Sequence, residues 1–302
     1  MRLIVFFLVF VLIVFLAGTV LNVDSILLYH FLVIILATLG LTKLGIIYAK
    51  KFGIVDTPSV RKIHKYPTPS IGGMVFIPIA LISWIIKMSE SIDEKVMSLS
   101  FSILLMYILG IIDDRKPLSH KIKLPLQILA SVIVIHFWNF IPLNFGGAFG
   151  INTVGNIWGW ILMIAFFQFT INAINFMDGI NGLLGGYIVL VFSFLYLWSG
   201  SLGSLEIKNI LASMTAGVIA FLYFNFRRTA KTFMGDAGST VLGLIAATAT
   251  TRIIQIVPTS SISLGNIDYI IPHFFIFVII FWYPLFDSLQ VYTRRILRGN
   301  SP

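Results

Sequence analysis

Cysteine does not occur in the 302 residues. Disulfides are therefore excluded, and cysteine serves neither as nucleophile nor as metal ligand. Charge is scarce as well: Asp, Glu, Lys and Arg make up 11% of the chain, against 58% hydrophobic residues. A mean hydropathy of +0.97 with so few charges excludes a soluble globule. The chain carries no P-loop, no Rossmann glycine pattern and no internal repeat, so nucleotide folds of those kinds and repeat solenoids drop out. Acids are the rarest charged class, 12 Asp and Glu against 21 Lys and Arg. The resulting charge of +9 would point a soluble protein toward nucleic acid. Here it reads as basic loops held against an anionic membrane leaflet, with no nucleic-acid partner.

What remains is a series of apolar runs, each about 17–25 residues long, the length of one bilayer crossing. Ten are expected: residues 3–21, 26–49, 72–87, 96–112, 124–141, 156–171, 183–198, 209–226, 238–257 and 267–290. The expected fold is all-α, a single polytopic membrane bundle over residues 1–302 with catalytic loops on one face. The first run follows Arg2 and lacks a convincing small-residue cleavage site, so it reads as an uncleaved anchor. Lys and Arg crowd alternate loops. That asymmetry places both termini and the basic loops in the cytoplasm.

This topology sorts the acids. Asp24, Glu90, Asp93, Glu94, Glu206 and Asp268 fall at the outer loops and read as solvated surface charges. Asp56, Asp113, Asp114, Asp178, Asp236 and Asp287 fall at cytoplasmic helix ends among Gly, Asn and basic residues. Six acids from separate segments on one face have the makings of an assembled site. Carboxylates there would hold a divalent metal, and Lys and Arg would take the phosphates it leaves uncovered.

The stretch Asn172 to Gly182 is the densest in such groups. If helical, it presents Asn172, Asn175 and Asp178 every three residues on nearly one face, a cluster of oxygen ligands costly at membrane depth unless something occupies it. A polar helix end would look the same. Asp113 and Asp114 follow Gly110 at the end of the fourth run. Neighbours on a helix stand about 100° apart, so the two do not share one target while the helix lasts. One of them is a candidate general base, and acids at a helix C-terminus oppose the macrodipole and want a reason to be there. Lys123 and Gln127, one turn apart, share a face and a candidate cavity. Gly235-Asp236-Ala237-Gly238-Ser239 leaves the Asp236 carboxylate accessible, and a plain N-cap aspartate is the competing reading. The proline-rich loop with Arg61, Lys62, His64 and Lys65 is an anion-binding flap or simply a basic loop, and Gly72-Gly73 after it permits a close backbone approach. Asp287, before Arg294 and Arg295, has the weakest case.

Taken together, Arg61-Lys62-x-His64 ending in Gly72-Gly73, Gly110 with Asp113-Asp114, Asn172-x-x-Asn175-x-x-Asp178-Gly179 and Gly235-Asp236-x-Gly238-Ser239 resemble the polyprenyl-phosphate N-acetylhexosamine-1-phosphate transferases. The ending Arg294-Arg295-x-Leu297-x-Gly299-x-Ser301-Pro302 looks more like the enzymes that start O-antigen, enterobacterial common antigen or teichoic acid linkage than the phospho-MurNAc-pentapeptide transferases. The resemblance implies a UDP-N-acetylhexosamine donor, undecaprenyl phosphate as acceptor, Mg2+ or Mn2+ as cofactor and UMP as leaving group, in a bacterial inner membrane. A homodimer is left open. It further implies Asn175 and Asp236 as metal ligands and Asp113, Asp114 and Asp178 as catalytic acids, acting by direct displacement or through a phosphorylated aspartate. Arg61, Lys62, Lys65, Lys123, Asn172, Asn181, Gly235, Arg294 and Arg295 are the implied substrate contacts. In that family Ser301-Pro302 is followed by a His-x-His-His segment of the donor site, whereas the sequence stops at Pro302. Either the chain is part of a longer enzyme or it binds its donor without that arm, and the expectation is retained metal and lipid-phosphate binding with poor transfer. A secondary transporter or a catalytically silent scaffold are the competing classes. The acids lie at one surface rather than at the midplane between two repeats, which speaks against the transporter.

Overall fold

A computed structural model describes residues 25–51, 54–56, 66–141, 143–144, 153–201, 203–227, 229–256, 262–264 and 267–269, with isolated positions at 281, 286, 293 and 297. Within a bilayer every backbone amide needs an internal partner, and an apolar run achieves that by becoming a helix. Eight such helices form among the described residues: α1 (Ser25–Lys51), α2 (Gly72–Lys87), α3 (Glu94–Arg115), α4 (His120–Phe137), α5 (Asn156–Phe176), α6 (Leu183–Ser201), α7 (Leu205–Asn225) and α8 (Asp236–Ile256). Seven of them are long and apolar enough to cross a membrane, and α2 is a shorter apolar helix. The chain is an integral membrane protein.

The eight helices answer the second to ninth expected runs, with shifts at their ends. The first run lies outside the described residues. The tenth is corrected at its start: Ile267–Tyr269 is not helical but forms a strand, β6, paired antiparallel with β5 (Ile262–Leu264). Two other short hairpins join helices, β1 (Val55–Asp56) with β2 (Thr68–Pro69) and β3 (Leu143–Asn144) with β4 (Thr153–Val154). Helix α4 stops at Phe137, four residues short of the expected end, where Asn139 takes a φ of 52°. Helix α5 runs on to Phe176 and passes into a tight turn at Met177–Gly179. The polar stretch is thus helical as far as Asn175, and Asp178 sits just beyond.

Helix α8 is the hub, with 89% of its membrane window buried against 22% for α1 at the edge. It packs on α3, α5, α2, α6 and α7. Small residues make this possible. At Gly243 even a methyl group would come within 2.6 Å of the Ile171 Cα, so α5 and α8 meet nearly backbone to backbone.

Side-chain bonds identify the two ends of the bundle. At one end Trp84 Nε1 donates to Glu206 O at 3.2 Å, Trp138 Nε1 to Lys95 O at 3.1 Å and Gln255 Nε2 to Asn139 O at 2.7 Å. Both tryptophans are buried, and each N–H finds the partner that a buried indole needs. Asp93 lies on that side and is more than a solvated charge, since its Oδ1 accepts Val96 N at 2.9 Å and caps α3. The opposite end collects Asp113, Asp114, Asp178 and Asp236.

Candidate active site

The start of α8 is the floor of the site, and two glycines let neighbouring backbone reach it. A Cβ on Gly110 of α3 would collide with the Ala237 backbone, and one on Gly73 of α2 with Gly238. The close approach expected at Gly72-Gly73 is realised: Gly72 N donates to Phe233 O at 2.9 Å and Gly73 N to Met234 O at 2.8 Å. Ser70 and Phe233 form a parallel bridge, so the segment after β2 is stitched to the segment before α8.

Gly235 turns the chain into α8 with a φ of +77°, a region open to glycine at little cost. The first amides of a helix have no partner within it. Here Asp114 supplies one, its Oδ1 accepting Asp236 N at 2.9 Å and its Oδ2 accepting Ala237 N at 3.2 Å. An acid that opposes the dipole of its own helix is therefore matched to the positive end of another. Asp178 extends the arrangement, with Oδ2 accepting Gly235 N at 2.8 Å.

Because Asp114 caps α8, Asp236 does not. Its Oδ1 accepts Asn175 Nδ2 at 2.8 Å, and its Oδ2 takes a short contact from the Lys123 ammonium. Lys123 also donates to Asp113 Oδ2 at 2.7 Å, while Asp113 Oδ1 accepts Leu118 N at 2.6 Å. Asn175 Nδ2 makes a second bond, to Ser239 Oγ at 2.8 Å. Asp113 and Asp114, adjacent in sequence, serve different partners, as the helical angle between them demands. Asp236 keeps the most accessible side chain of the ion-paired three, 25% against 15% for Lys123 and 13% for Asp113.

Asp113, Asp114, Lys123, Asn175, Asp178, Gly235 and Asp236 are thus joined through one chain of contacts. Asn172 and Asn181 stand outside that chain of contacts, each with a side-chain N–H on a backbone carbonyl. Asn172 Nδ2 donates to Gln168 O of its own helix at 2.7 Å, and Asn181 Nδ2 to Arg227 O at 3.1 Å. Asp56 stands on β1 opposite Thr68. Arg61, Lys62, His64, Lys65, Asp287, Arg294 and Arg295 lie outside the described residues. Gln127, expected beside Lys123, is buried and its Nε2 has no protein partner.

Two contributors escaped sequence reasoning. Asn225 Oδ1 accepts Gly182 N at 2.7 Å and its Nδ2 donates to Thr232 O at 3.0 Å. Thr232 Oγ1 donates to Pro69 O at 2.9 Å and accepts Ile71 N at 3.3 Å. An asparagine ending an apolar run was the available signal for the first. Thr232, in a polar loop, offered none.

Among the described residues no three His, Cys, Asp or Glu side chains form a ready metal cage. The donor set is nevertheless all oxygen and amide, the hard chemistry that Mg2+ and Mn2+ accept and Zn2+ does not demand. Magnesium commonly takes only one or two carboxylates and completes its shell with waters and phosphates. Two carboxylates, Asp113 and Asp236, share one lysine, and that pair suits a bound cation.

Residues 96–254 match the family model for glycosyl transferase family 4, a span that holds every member of the contact chain. The chain is 32% identical over 261 residues, 84% of its own length and 67% of the relative's, to the undecaprenyl-phosphate alpha-N-acetylglucosaminyl 1-phosphate transferase of Escherichia coli O157:H7. It is 28% identical over 270 residues, 88% of the chain and 71% of the relative, to a Bacillus subtilis (strain 168) protein named probable undecaprenyl-phosphate N-acetylglucosaminyl 1-phosphate transferase. A decaprenyl-phosphate N-acetylglucosaminephosphotransferase of Mycolicibacterium smegmatis (strain ATCC 700084 / mc(2)155) is 28% identical over 298 residues, 88% of the chain and 72% of the relative. With a matched region that covers α8 and the acids gathered around its start, the chain belongs to glycosyl transferase family 4.

Proposed function

We propose that this chain transfers an N-acetylhexosamine-1-phosphate, N-acetylglucosamine-1-phosphate first among them, from a UDP-sugar to undecaprenyl phosphate. The products are the lipid diphosphate sugar and UMP. The observation that carries this reading is the meeting of Asp113 and Asp236 on one ammonium beside the start of α8. Phosphoryl transfer asks a protein for position and charge more than for covalent chemistry, and this arrangement offers both. The names of the relatives supply the acceptor and the sugar.

In the direct route an oxygen of the lipid phosphate attacks the phosphorus next to the sugar. The bond from that phosphorus to the UMP oxygen breaks, and UMP leaves with the electron pair. Asp113, held by Leu118 N and Lys123, orients the attacking phosphate through that lysine. Lys123 offers its ammonium to phosphate oxygens. Asp114 and Asp178 act as positioning residues that fix Gly235 and Asp236. We assign Mg2+ or Mn2+ to Asp236 with Asn175, whose carboxamide brings its oxygen to the carboxylate side by a half-turn. Such an ion, when bound, neutralises the diphosphate charge as a Lewis acid. Arg61, Lys62, Lys65, Arg294 and Arg295 are assigned to the donor's phosphates and uridine. The Lys and Arg asymmetry favours a cytoplasmic site in a bacterial inner membrane.

The test is incubation of purified protein with undecaprenyl phosphate, Mg2+ and a panel of UDP-sugars, with detection of lipid diphosphate product and of UMP exchange into the donor. Product with one UDP-hexosamine, abolished by Asp236→Asn, supports the proposal. Intact folded protein that forms no product with any sugar of the panel leaves a silent scaffold as the better reading.

A further inference from the structure

Lys123 stands in the first turn of α4 and brings a positive charge between two carboxylates that approach from α3 and α8. It donates to Asp113 Oδ2 at 2.7 Å and makes its short contact with Asp236 Oδ2. The other Asp236 oxygen already accepts from Asn175, and the other Asp113 oxygen from the Leu118 amide at 2.6 Å. Asp236 Oδ2 is therefore taken by a cation that the chain carries itself. A divalent ion on that oxygen would lie within a few ångströms of the ammonium, where both are poorly screened by water. The two cations repel each other there and compete for this oxygen.

We propose that Lys123 is an internal competitor of the divalent ion, displaced from Asp236 when a substrate phosphate offers it new oxygens, so that metal and phosphate bind cooperatively and each binds weakly alone. The inference rests on the assignment of the metal to Asp236. A lysine suits the task because its ammonium is a compact charge on a flexible four-carbon stem, able to move between acceptors without a fixed fork geometry. Asp113 suits it too: pinned by Leu118, it keeps one anchor for the ammonium while the Asp236 contact opens. An incoming phosphate then gains an ammonium and a metal in one step, and the metal gains phosphate oxygens that it uses readily. By linkage, what phosphate does for metal affinity, metal does for phosphate affinity.

The experiment measures Mn2+ uptake by electron paramagnetic resonance on the purified full chain, with and without UDP as the phosphate probe. Asp236→Asn serves as the background for Mn2+ held by UDP itself. Wild type should bind Mn2+ on the order of tenfold more tightly with UDP than without, within the usual 5–150-fold range of such couplings. Lys123→Met should bind Mn2+ alone roughly tenfold more tightly than wild type and lose most of the UDP enhancement. Lys123→Arg, which keeps the charge, should retain weak binding of Mn2+ alone. If Lys123→Met does not fold, wild type and Lys123→Arg decide the matter: an affinity indifferent to UDP in both overturns the proposal. So does a folded Lys123→Met that binds Mn2+ no better than wild type. A different failure, Mn2+ uptake by wild type that never exceeds Asp236→Asn, overturns the metal assignment itself.

Discussion

Removing Asp114 separates a structural acid from a catalytic one. Its two oxygens accept the Asp236 and Ala237 amides at 2.9 and 3.2 Å, and Gly235 packs so closely that a Cβ there would lie 2.6 Å from Asp114 Oδ2. In Asp114→Ala both amides lose their partner at the start of the most buried helix. Hydrogen bonds to a charged group contribute about 1.5–3 kcal/mol each, and loss of a helix cap costs about 0.5–2 kcal/mol. Since the two bonds share one carboxylate and water reaches part of the opened site, a total of about 2–4 kcal/mol is expected. Asp114→Asn keeps one acceptor oxygen and loses the charge, which costs about 1–2 kcal/mol. Thermal unfolding followed by tryptophan fluorescence in one detergent should rank wild type above Asp114→Asn above Asp114→Ala. The alanine variant should fall by several degrees, since 1 kcal/mol corresponds to about 2–4 °C in chains of 150–250 residues. Transfer activity should fall in the same order, because Asp236 loses its fixed position. An Asp114→Ala protein that melts with wild type while losing all activity would refute the capping argument and return Asp114 to the role of general base.

Asn225→Ala removes two bonds to backbone, at Gly182 and Thr232, and should destabilise by about 2–4 kcal/mol in the same unfolding assay. Gly110→Ala sets a methyl group against the Ala237 backbone and should cost about 1–3 kcal/mol as an overpacked contact, visible as lower yield of folded protein in size-exclusion chromatography. Asn175→Ala leaves Asp236 Oδ1 and Ser239 Oγ without their shared donor. It should reduce product formation by about tenfold or more, for a contact worth 1.4 kcal/mol or above, while the melting temperature moves little.

Hydropathy made the helices legible because a bilayer imposes one length on every crossing, and the eight helices from α1 to α8 fall where apolar runs were expected. Errors cluster where that rule is silent. Ile267 opens an apolar run yet pairs as a strand with Leu264, since an apolar stretch alone does not choose between helix and strand. The site's members were legible from residue type and from their place at helix ends. Their partners were not. Asp114 finds amides 122 and 123 positions away, and Asn175 finds Asp236 at a separation of 61. Such pairings depend on which helices become neighbours, and no local period encodes that. The same limit covers Asn172 and Asn181, whose side-chain N–H groups reach the Gln168 and Arg227 carbonyls rather than the acids.

The division among the four acids follows from where the α8 dipole points. A helix N-terminus carries about half a positive charge, and whichever carboxylates reach its free amides are immobilised there. Asp114 and Asp178 reach Asp236 N, Ala237 N and Gly235 N, partners fixed in the backbone. Asp113 and Asp236 project past that ring of amides onto an ammonium, a partner that can be exchanged for another cation or shared with a phosphate. Under the proposed function, chemistry at this site falls to the pair on Lys123, and the pair on the amides keeps α8 where that chemistry needs it. Exchanging the roles, by moving the lysine to face Asp114, would draw Asp114 from the α8 amides and leave Asp236 with Asn175 but no cation.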